Sequence, residues 1–238
     1  MKSPAKKSAT KTTALPAVPP APVRRRVLVI DDHPFMRAGL TQLIDRQADM
    51  QACGEAGNPV EALQLLARSR PDLVLTDITM PGRSGLEFIK DLQASMPGLP
   101  VLVVSMHDEA IYAERAIRAG ARGYIMKEAG GENLLAALRQ VLRGEIYVSQ
   151  RMSALMLENF SARRPRGSSS PIEKLSDREF EVFQLIGQGK STRDIAAQLH
   201  LSSKTVDVHR SHLREKLGLK DTTELVRHAV RWCVTQGG

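Results

Sequence analysis

The chain has 238 residues, enough for two domains of ordinary size joined by a linker. Hydrophobic residues make up 42% of it, which predicts packed cores, and no apolar run approaches the roughly 18 residues that a membrane span needs. The basic N-terminus lacks the apolar stretch of a secretory signal, so we expect a cytoplasmic protein. Cys53 and Cys233 each lie among apolar residues, which favours buried thiols over a disulfide or a metal site.

The net charge of +8 is unevenly distributed along the chain. Residues 1–26 carry seven basic and no acidic residues, residues 27–145 carry twelve and sixteen, and residues 146–238 carry fifteen and ten. An acidic first part and a basic second part predict that the second part binds nucleic acid. Residues 1–25 are rich in Lys, Ala, Thr, Ser and Pro, which predicts a disordered basic tail. This tail either touches DNA phosphates non-specifically or only keeps the chain soluble.

Strand and helix patterns alternate across residues 26–144. The strands are predicted at 26–31, 51–56, 72–77, 100–105 and 123–125, and the helices at 34–48, 58–69, 85–96, 108–119 and 131–143. Five strands alternating with five helices predict a doubly wound α/β fold with a parallel sheet. In the second helix, the apolar residues Leu63, Leu65, Leu66 and Ala67 are predicted to form the side that packs on the sheet.

Acidic residues follow two of these strands. Asp31 and Asp32 end the first strand, and Asp77 ends the third, Leu73-Val74-Leu75-Thr76. Ligands of open α/β sheets bind at this carboxyl edge, so we expect the three carboxylates to lie together there. Oxygen ligands without a His or Cys cluster favour Mg2+ over zinc. The alternative for a single such Asp is a solvated residue that opens a loop.

The fourth strand ends at Ser105, and the fifth, Tyr124-Ile125-Met126, ends at Lys127. The same edge would then hold three carboxylates, a hydroxyl and an ammonium. Such a set suits phosphoryl transfer, because a carboxylate can attack phosphorus while cations and a hydroxyl hold its oxygens.

These residues, with Met80-Pro81-Gly82 and Gly85 after Asp77, resemble the receiver domain of two-component response regulators, a flavodoxin-like fold, over residues 26–144. The resemblance implies that Asp77 accepts a phosphoryl group from a histidine kinase. It also implies that Asp32 and Asp77 bind Mg2+ through their side chains and Thr79 through its backbone carbonyl, while Asp31 acts partly through water. Lys127 and Ser105 would then contact the phosphoryl oxygens. Tyr124 would move inward as the switch aromatic, although its spacing alone favours a core residue.

A linker at 145–171 is predicted to hold a short amphipathic helix at 153–160 and a flexible tether at 161–171. Beyond it, residues 172–238 show an all-helical pattern. Ser176-x-x-Glu179 and Ser191-x-x-Asp194 predict two helix starts, Ser202 or Ser203 a third, and about Thr222 a fourth. Short helices with tight turns indicate a helix-turn-helix domain.

The sequence motifs of this segment are similar to those of the LuxR-type DNA-binding domain. The matching residues are Leu175-Ser176-x-Arg178-Glu179, Gly189-Lys190-Ser191, Asp194-Ile195-Ala196, Leu201-Ser202-x-Lys204-Thr205-Val206-x-x-His209 and Lys216-Leu217-Gly218. Together with a receiver, this resembles the NarL/FixJ group of response regulators. The resemblance implies that 203–217 is the recognition helix and that the last helix dimerises, although its apolar side must also close the core.

The recognition helix carries eight candidate DNA-binding residues. They are Lys204, Thr205, Asp207, Val208, His209, Arg210, Ser211 and Arg214. Asp207 departs from the family, where a basic residue is frequent, and either accepts from a cytosine amino group or turns away from the phosphates. Val208 either touches a thymine methyl group or belongs to the core, and Arg214 either binds phosphate or lies on a solvated face.

The sequence therefore predicts a non-enzymatic transcription regulator activated by phosphorylation of Asp77. Its expected partners are a cognate histidine kinase, double-stranded DNA and a second copy of the chain when phosphorylated, with no membrane partner. One alternative is a DNA-binding regulator with a vestigial receiver. Another is an aspartate-nucleophile phosphatase, which is disfavoured because Thr79 occupies the position where such enzymes carry a second acid.

Overall fold

The computed structural model describes residues 24–80, 84–161 and 171–236. The first half alternates strands and helices in the predicted order. Its elements are β1 (Arg25–Ile30), α1 (Pro34–Asp45), β2 (Met50–Ala56), α2 (Pro59–Ser69), β3 (Leu73–Thr76), α3 (Gly85–Ser95), β4 (Val101–Ser105), α4 (Glu109–Ala119), β5 (Gly123–Met126) and α5 (Gly131–Leu142). Each predicted strand and helix of this half is present, with ends that differ from the prediction by at most three residues.

The five strands form one parallel sheet in the order β2-β1-β3-β4-β5. Alternate residues of each strand belong to two hydrophobic clusters, one beneath α1 and α5 and the other beneath α2, α3 and α4. All four residues of β3 are buried, as expected for a central strand covered on both faces. This is the predicted doubly wound, flavodoxin-like fold.

The second half is helical. Its elements are α6 (Gln150–Ser161), α7 (Asp177–Gly187), α8 (Thr192–Gln198), α9 (Ser203–Leu217) and α10 (Thr222–Gln236). Both predicted capping boxes are formed, by Ser176 with Glu179 and by Ser191 with Asp194, and Ser202 caps α9. These caps satisfy backbone N–H groups at each helix start and fix the tight turns between the helices.

The chain after α5 returns to the open edge of the sheet. Tyr147 pairs with Gly123 of β5, and its backbone carbonyl accepts from the Tyr124 N–H at 2.9 Å. The Ser149 N–H then donates to the Glu109 carboxylate at 2.7 Å, and α6 packs on α4. The beginning of the predicted linker is therefore part of the first folded unit. Only the helix 153–160 was predicted there, and α6 is longer at its start.

Two sequence predictions about packing are wrong in part. In α2, Leu66 is buried and Leu65 packs against the core as predicted, but Leu63 is 46% exposed and Ala67 is exposed as well. The helix turns Ala62, Leu66 and Ser69 toward the sheet. Both cysteines are free thiols but only partly buried. Arg25, assigned to the tail, begins β1; residues 1–23, and 162–170 of the tether, lie outside the described residues.

Nothing in the described parts of the chain forms a helix long and apolar enough to cross a membrane.

Candidate functional site

Asp77 lies directly after β3, at the start of the loop that leads to α3. Its backbone N–H donates to the Ile30 carbonyl at 2.9 Å, which continues the β1–β3 ladder to the last residue before the loop. Its Oδ1 accepts from the backbone N–H groups of Ile78 at 2.6 Å and Thr79 at 3.2 Å. Its Oδ2 accepts from Lys127 Nζ at 2.6 Å. The carboxylate is thus held in one orientation at the carboxyl edge of the sheet.

Lys127 connects two of the carboxylates. Its Nζ lies 2.7 Å from Asp31 Oδ2 and 2.6 Å from Asp77 Oδ2, with all three side chains buried. Burial raises the pKa of Asp77 in spite of the Lys127 charge. Burial by itself would lower the pKa of Lys127, but the two carboxylates outweigh it and raise that pKa. Lys127 therefore remains a cation that faces Asp77 Oδ2.

The predicted acidic cluster is formed. One ligand atom from each of Asp31, Asp32, His33 and Asp77 lies within 4.8 Å of the others. Asp32 Oδ1 is buried and accepts no hydrogen bond of good geometry, although His33 Nδ1 lies 2.7 Å away. Three carboxylates thus face one lysine ammonium, which leaves negative charge for a divalent cation to neutralise. His33 is an exposed residue, and its Nδ1 lies at the border of this cluster.

Ser105 and Tyr124 lie on the next two strands, beside the same edge. Ser105 is buried at the end of β4, and its Oγ accepts from the His107 N–H at 3.2 Å. Tyr124 is fully buried and its hydroxyl donates to the His107 carbonyl at 2.8 Å; burial raises its pKa. Tyr124 is therefore already inward in this structure.

His107 was not singled out from the sequence, but it lies at the centre of these contacts. Its Nε2 is 2.7 Å from Thr79 Oγ1, so it joins the loop after β3 to the loop after β4. Its ring centroid lies 4.7 Å from that of Tyr112 on α4. No motif marks such a contact, because it depends on the conformation of two loops and not on a helix or strand period.

The candidate DNA-binding residues of α9 divide by exposure. Lys204, Asp207, Val208 and Ser211 are exposed, and Thr205, His209, Arg210 and Arg214 are partly buried. Val208 is 46% exposed, so it does not belong to the core. Arg210 donates to Thr192 Oγ1 at 2.9 Å, which ties α9 to the start of α8. Helices α8 and α9 have the arrangement of a helix-turn-helix, with an open outward side on α9.

Helix α10 packs one side against the core and carries a second, exposed apolar stripe. Leu225 and Ala229 are buried against α7 and α9. Val226, Val230 and Val234 are 36%, 40% and 71% exposed and recur every four residues, so they lie on one side of the helix.

Comparison with known families gives two matches on this chain. Residues 27–139 match the family "Response regulator receiver domain", and residues 173–229 match "Bacterial regulatory proteins, luxR family". The curated proteins include the oxygen regulatory protein NreC of Staphylococcus aureus, which is 37% identical over 210 residues. That alignment covers 87% of this chain and 97% of the relative.

The solved structures that are similar to this chain include response regulators. A LuxR-family two-component response regulator from Aurantimonas sp. SI85-9A1 is 30% identical, with a TM-score of 0.54, and covers 58% of this chain and 99% of its own. The RcsB response regulator of Salmonella typhimurium superposes with a TM-score of 0.61 over 87% of this chain and 98% of its own. At 23% identity, that second likeness concerns the fold alone.

Proposed function

Since this chain is a response regulator of the NarL/FixJ group, with a receiver followed by a LuxR-type DNA-binding domain, we propose that it is switched by phosphorylation of Asp77. The observation that carries the proposal is the set around Asp77: one oxygen held by two backbone N–H groups and the other by Lys127. We assign residues 26–144 to the receiver, 145–171 to the linker, whose first part packs on the receiver, and 172–238 to the DNA-binding domain. We place the protein in the cytoplasm, where its DNA lies.

The phosphoryl donor is a phosphohistidine of a cognate histidine kinase. An oxygen of the Asp77 carboxylate attacks phosphorus, the P–N bond breaks as the new P–O bond forms, and the departing imidazole takes up a proton. Lys127 balances charge on the phosphoryl oxygens in the position where it now contacts Asp77. Ser105 lies on the neighbouring strand and supplies a hydroxyl to a phosphoryl oxygen.

The acidic cluster fits Mg2+. Asp31, Asp32, Asp77 and the backbone carbonyl of Thr79 are the oxygen donors that would hold it, and the buried Asp32 Oδ1 needs a partner. When bound, the ion neutralises phosphoryl oxygens during the transfer. His33 Nδ1 lies at the border of the cluster.

Phosphorylation replaces the single negative charge of the Asp77 carboxylate by up to two charges on phosphoryl oxygens beside Lys127 and Ser105, and this changes the β4–α4 loop. To convert a mostly inactive population into a mostly active one, the phosphoryl group must favour the active form by about 5 kcal/mol. The active form pairs two copies, so that two α9 helices read half-sites about one helical turn apart. The exposed stripe Val226, Val230 and Val234 supports α10 as the pairing surface.

Asp77→Asn tests the switch. We expect a small phosphodonor with Mg2+ to tighten DNA binding and increase dimerisation of the wild type, and to leave Asp77→Asn unchanged. Asp221→Asn is the matched control, because Asp221 caps α10 by accepting from the Glu224 N–H and asparagine caps equally well. Equal DNA binding by all three proteins with and without phosphodonor would instead support the alternative of a vestigial receiver.

Asp207→Lys tests base recognition by α9. If the exposed Asp207 faces base edges, the lysine variant acquires an altered sequence preference, measured by selection from a randomised DNA pool. Glu215→Lys makes the same charge change on an exposed residue two turns along α9, so it controls for general attraction to phosphate. An unchanged preference for Asp207→Lys would show that this residue turns away from the bases.

A further inference from the structure

The guanidinium of Arg37 binds the backbone at the end of β1. Arg37 lies in the first turn of α1, and its Nη1 donates to the Asp31 carbonyl at 2.6 Å, with the side chain 20% exposed. The Asp31 N–H continues the ladder with β2 by donating to the Ala56 carbonyl at 3.1 Å. Because β2 ends at Ala56, the chain beyond it no longer runs beside Asp31 as a strand, and Arg37 supplies the donor for the Asp31 carbonyl instead.

This carbonyl belongs to the peptide bond between the two acids of the β1–α1 loop. A peptide unit is planar, so the direction of the Asp31 carbonyl also fixes how the backbone enters Asp32. The Asp31 side chain is held independently, since its Oδ1 accepts from the His33 N–H at 2.8 Å and its Oδ2 lies 2.7 Å from Lys127 Nζ. Asp32 Oδ1 is buried without a hydrogen bond of good geometry, so the position of this oxygen depends on the backbone that Arg37 holds.

Arg37 is itself held by neighbouring elements. Its Nε lies 3.4 Å from Glu55 Oε2, near the end of β2. A Cβ built at Gly57 would lie 3.5 Å from both Arg37 Nη1 and Glu61 Oε2, so the loop after β2 and the first turn of α2 lie close to the guanidinium. A planar guanidinium can serve a carbonyl and a carboxylate that lie in different directions, whereas the single ammonium of a lysine cannot reach both.

The contacts of Arg37 leave the oxygens of the acidic cluster available to a cation. Lys127 pairs directly with Asp31 and Asp77 and neutralises part of their charge. The described contacts of Arg37 are instead with a backbone carbonyl and with Glu55, which lies outside the cluster. Arg37 therefore orients the acidic residues without competing with an ion for their carboxylate oxygens.

We propose that Arg37 is a positioning residue for Mg2+, which raises the affinity of the acidic cluster by fixing the peptide bond between Asp31 and Asp32. Mg2+ demands near-octahedral geometry at short distances, so the displacement of one carboxylate weakens its binding. Loss of a group that orients a metal ligand typically lowers metal affinity by roughly 10- to 100-fold. The inference rests on the proposed function, because it concerns the Mg2+ that assists the phosphorylation of Asp77.

Arg37→Met in the full chain tests this role, since methionine keeps an unbranched apolar stem and removes the donors. We expect the Kd for Mg2+, measured by isothermal titration calorimetry, to rise by about tenfold. At Mg2+ concentrations that saturate both proteins, the gain in unfolding free energy that Mg2+ gives should then be smaller by about 1.4 kcal/mol in the variant. Urea unfolding with and without Mg2+ measures this gain. A residue that only stabilised the fold would lower the unfolding free energy equally in both conditions.

Arg46→Met is the matched control, because Arg46 is exposed at the end of the same helix, and its Kd should equal that of the wild type. A rise in Arg46→Met equal to that in Arg37→Met would reflect net charge alone and would overturn the proposal. Arg37→Lys keeps a cation but cannot bind the Asp31 carbonyl and Glu55 together, so its Kd should lie between those of the wild type and Arg37→Met. If Arg37→Met does not fold, Arg37→Lys decides, and a Kd equal to that of the wild type overturns the proposal.

Equal Kd values for the wild type, Arg37→Met and Arg46→Met would also overturn the positioning role, and they would leave the phosphorylation of Asp77 unaffected. Uptake of a phosphoryl group is measured separately, by intact mass after addition of a small phosphodonor. If the wild type binds Mg2+ but takes up no phosphoryl group, the proposed function fails, while the comparison of Kd values still decides the role of Arg37. A wild-type chain that binds no Mg2+ would overturn both the role of Arg37 and the assignment of the cluster to Mg2+.

Discussion

Gly85 shows how closely the backbone is packed around Asp77, the proposed phosphoacceptor. Its N–H donates to the Ile78 carbonyl at 2.8 Å, and a Cβ at this position would lie 2.6 Å from both the Cα and the carbonyl oxygen of Ile78 and 2.7 Å from the Asp77 carbonyl oxygen. These are backbone atoms, so relief of the overlap must move the loop that orients Asp77.

We therefore expect Gly85→Ala to lower the free energy of unfolding by roughly 1–3 kcal/mol and to slow phosphorylation from a small donor. Gly39→Ala is the matched control: it lies within α1, and its added Cβ meets no atom within 4 Å. That change should stabilise the helix by roughly 0.5–1 kcal/mol. Urea unfolding and phosphorylation kinetics check both, and equal kinetics in the two variants would contradict the steric argument.

At the level of single residues, the sequence predicted which side chains meet wherever a strand ends in a functional group. Asp31, Asp77, Ser105 and Lys127 each follow or end a parallel strand, and parallel strands bring their carboxyl ends to one edge. His107 was missed because the side chains of loop residues follow no helix or strand period. Leu63 was misplaced because a short run of leucines leaves the orientation of a helix undetermined to within one turn.

Among the elements, α7 shows what helical periodicity alone cannot predict, namely which surface of another domain covers a polar side of a helix. Its apolar residues Val182, Phe183, Leu185 and Ile186 recur at helical spacing and are all buried. Its polar side would ordinarily be assigned to solvent, yet the receiver covers it. The spacing of Asp177, Glu181 and Gln184 marks a continuous polar side, but only the fold of the other domain shows what lies against it.

Glu179, in the first turn of α7, accepts a hydrogen bond from Lys216, and the strength of this contact depends on pH. Burial alone would raise the pKa of Glu179, but hydrogen bonds from Lys216 and Ser176 outweigh it and lower that pKa. A lowered carboxyl pKa adds stability above the ordinary pKa of the group, and this stability disappears as the pH falls through the lowered value. We expect Glu179→Gln to lose this contribution at neutral pH.

The difference in unfolding free energy between wild type and Glu179→Gln should therefore shrink as the solution is acidified, with urea unfolding followed by Trp232 emission. Asp194→Asn, in the second capping box on the exposed side of α8, controls for the loss of a capping carboxylate remote from Lys216. A difference that is independent of pH would contradict the assignment.

For the whole molecule, the proposed pairing surface is the exposed apolar stripe of α10, formed by Val226, Val230 and Val234. A carboxylate placed at Val230 would lie in the centre of the apolar stripe, so Val230→Glu should weaken dimerisation of phosphorylated protein by about tenfold or more. The folded monomer should be little affected because this side chain is 40% exposed. Sedimentation equilibrium with phosphodonor and Mg2+ measures the change. Val60→Glu, on a 67% exposed valine of α2, adds the same charge elsewhere, and an equal loss of dimer in that variant would point to charge alone.

The pairing of Tyr147 with the sheet edge also determines how far the two domains can separate. Because α6 belongs to the receiver side and ends at Ser161, only ten residue steps lead to Pro171, and these span at most about 35 Å. Confined to that radius, α7 meets the receiver at an effective concentration on the order of millimolar or higher. A contact too weak to join two separate polypeptides at micromolar concentration would still keep this chain closed. Small changes in one contact can therefore shift the balance between closed and open chains.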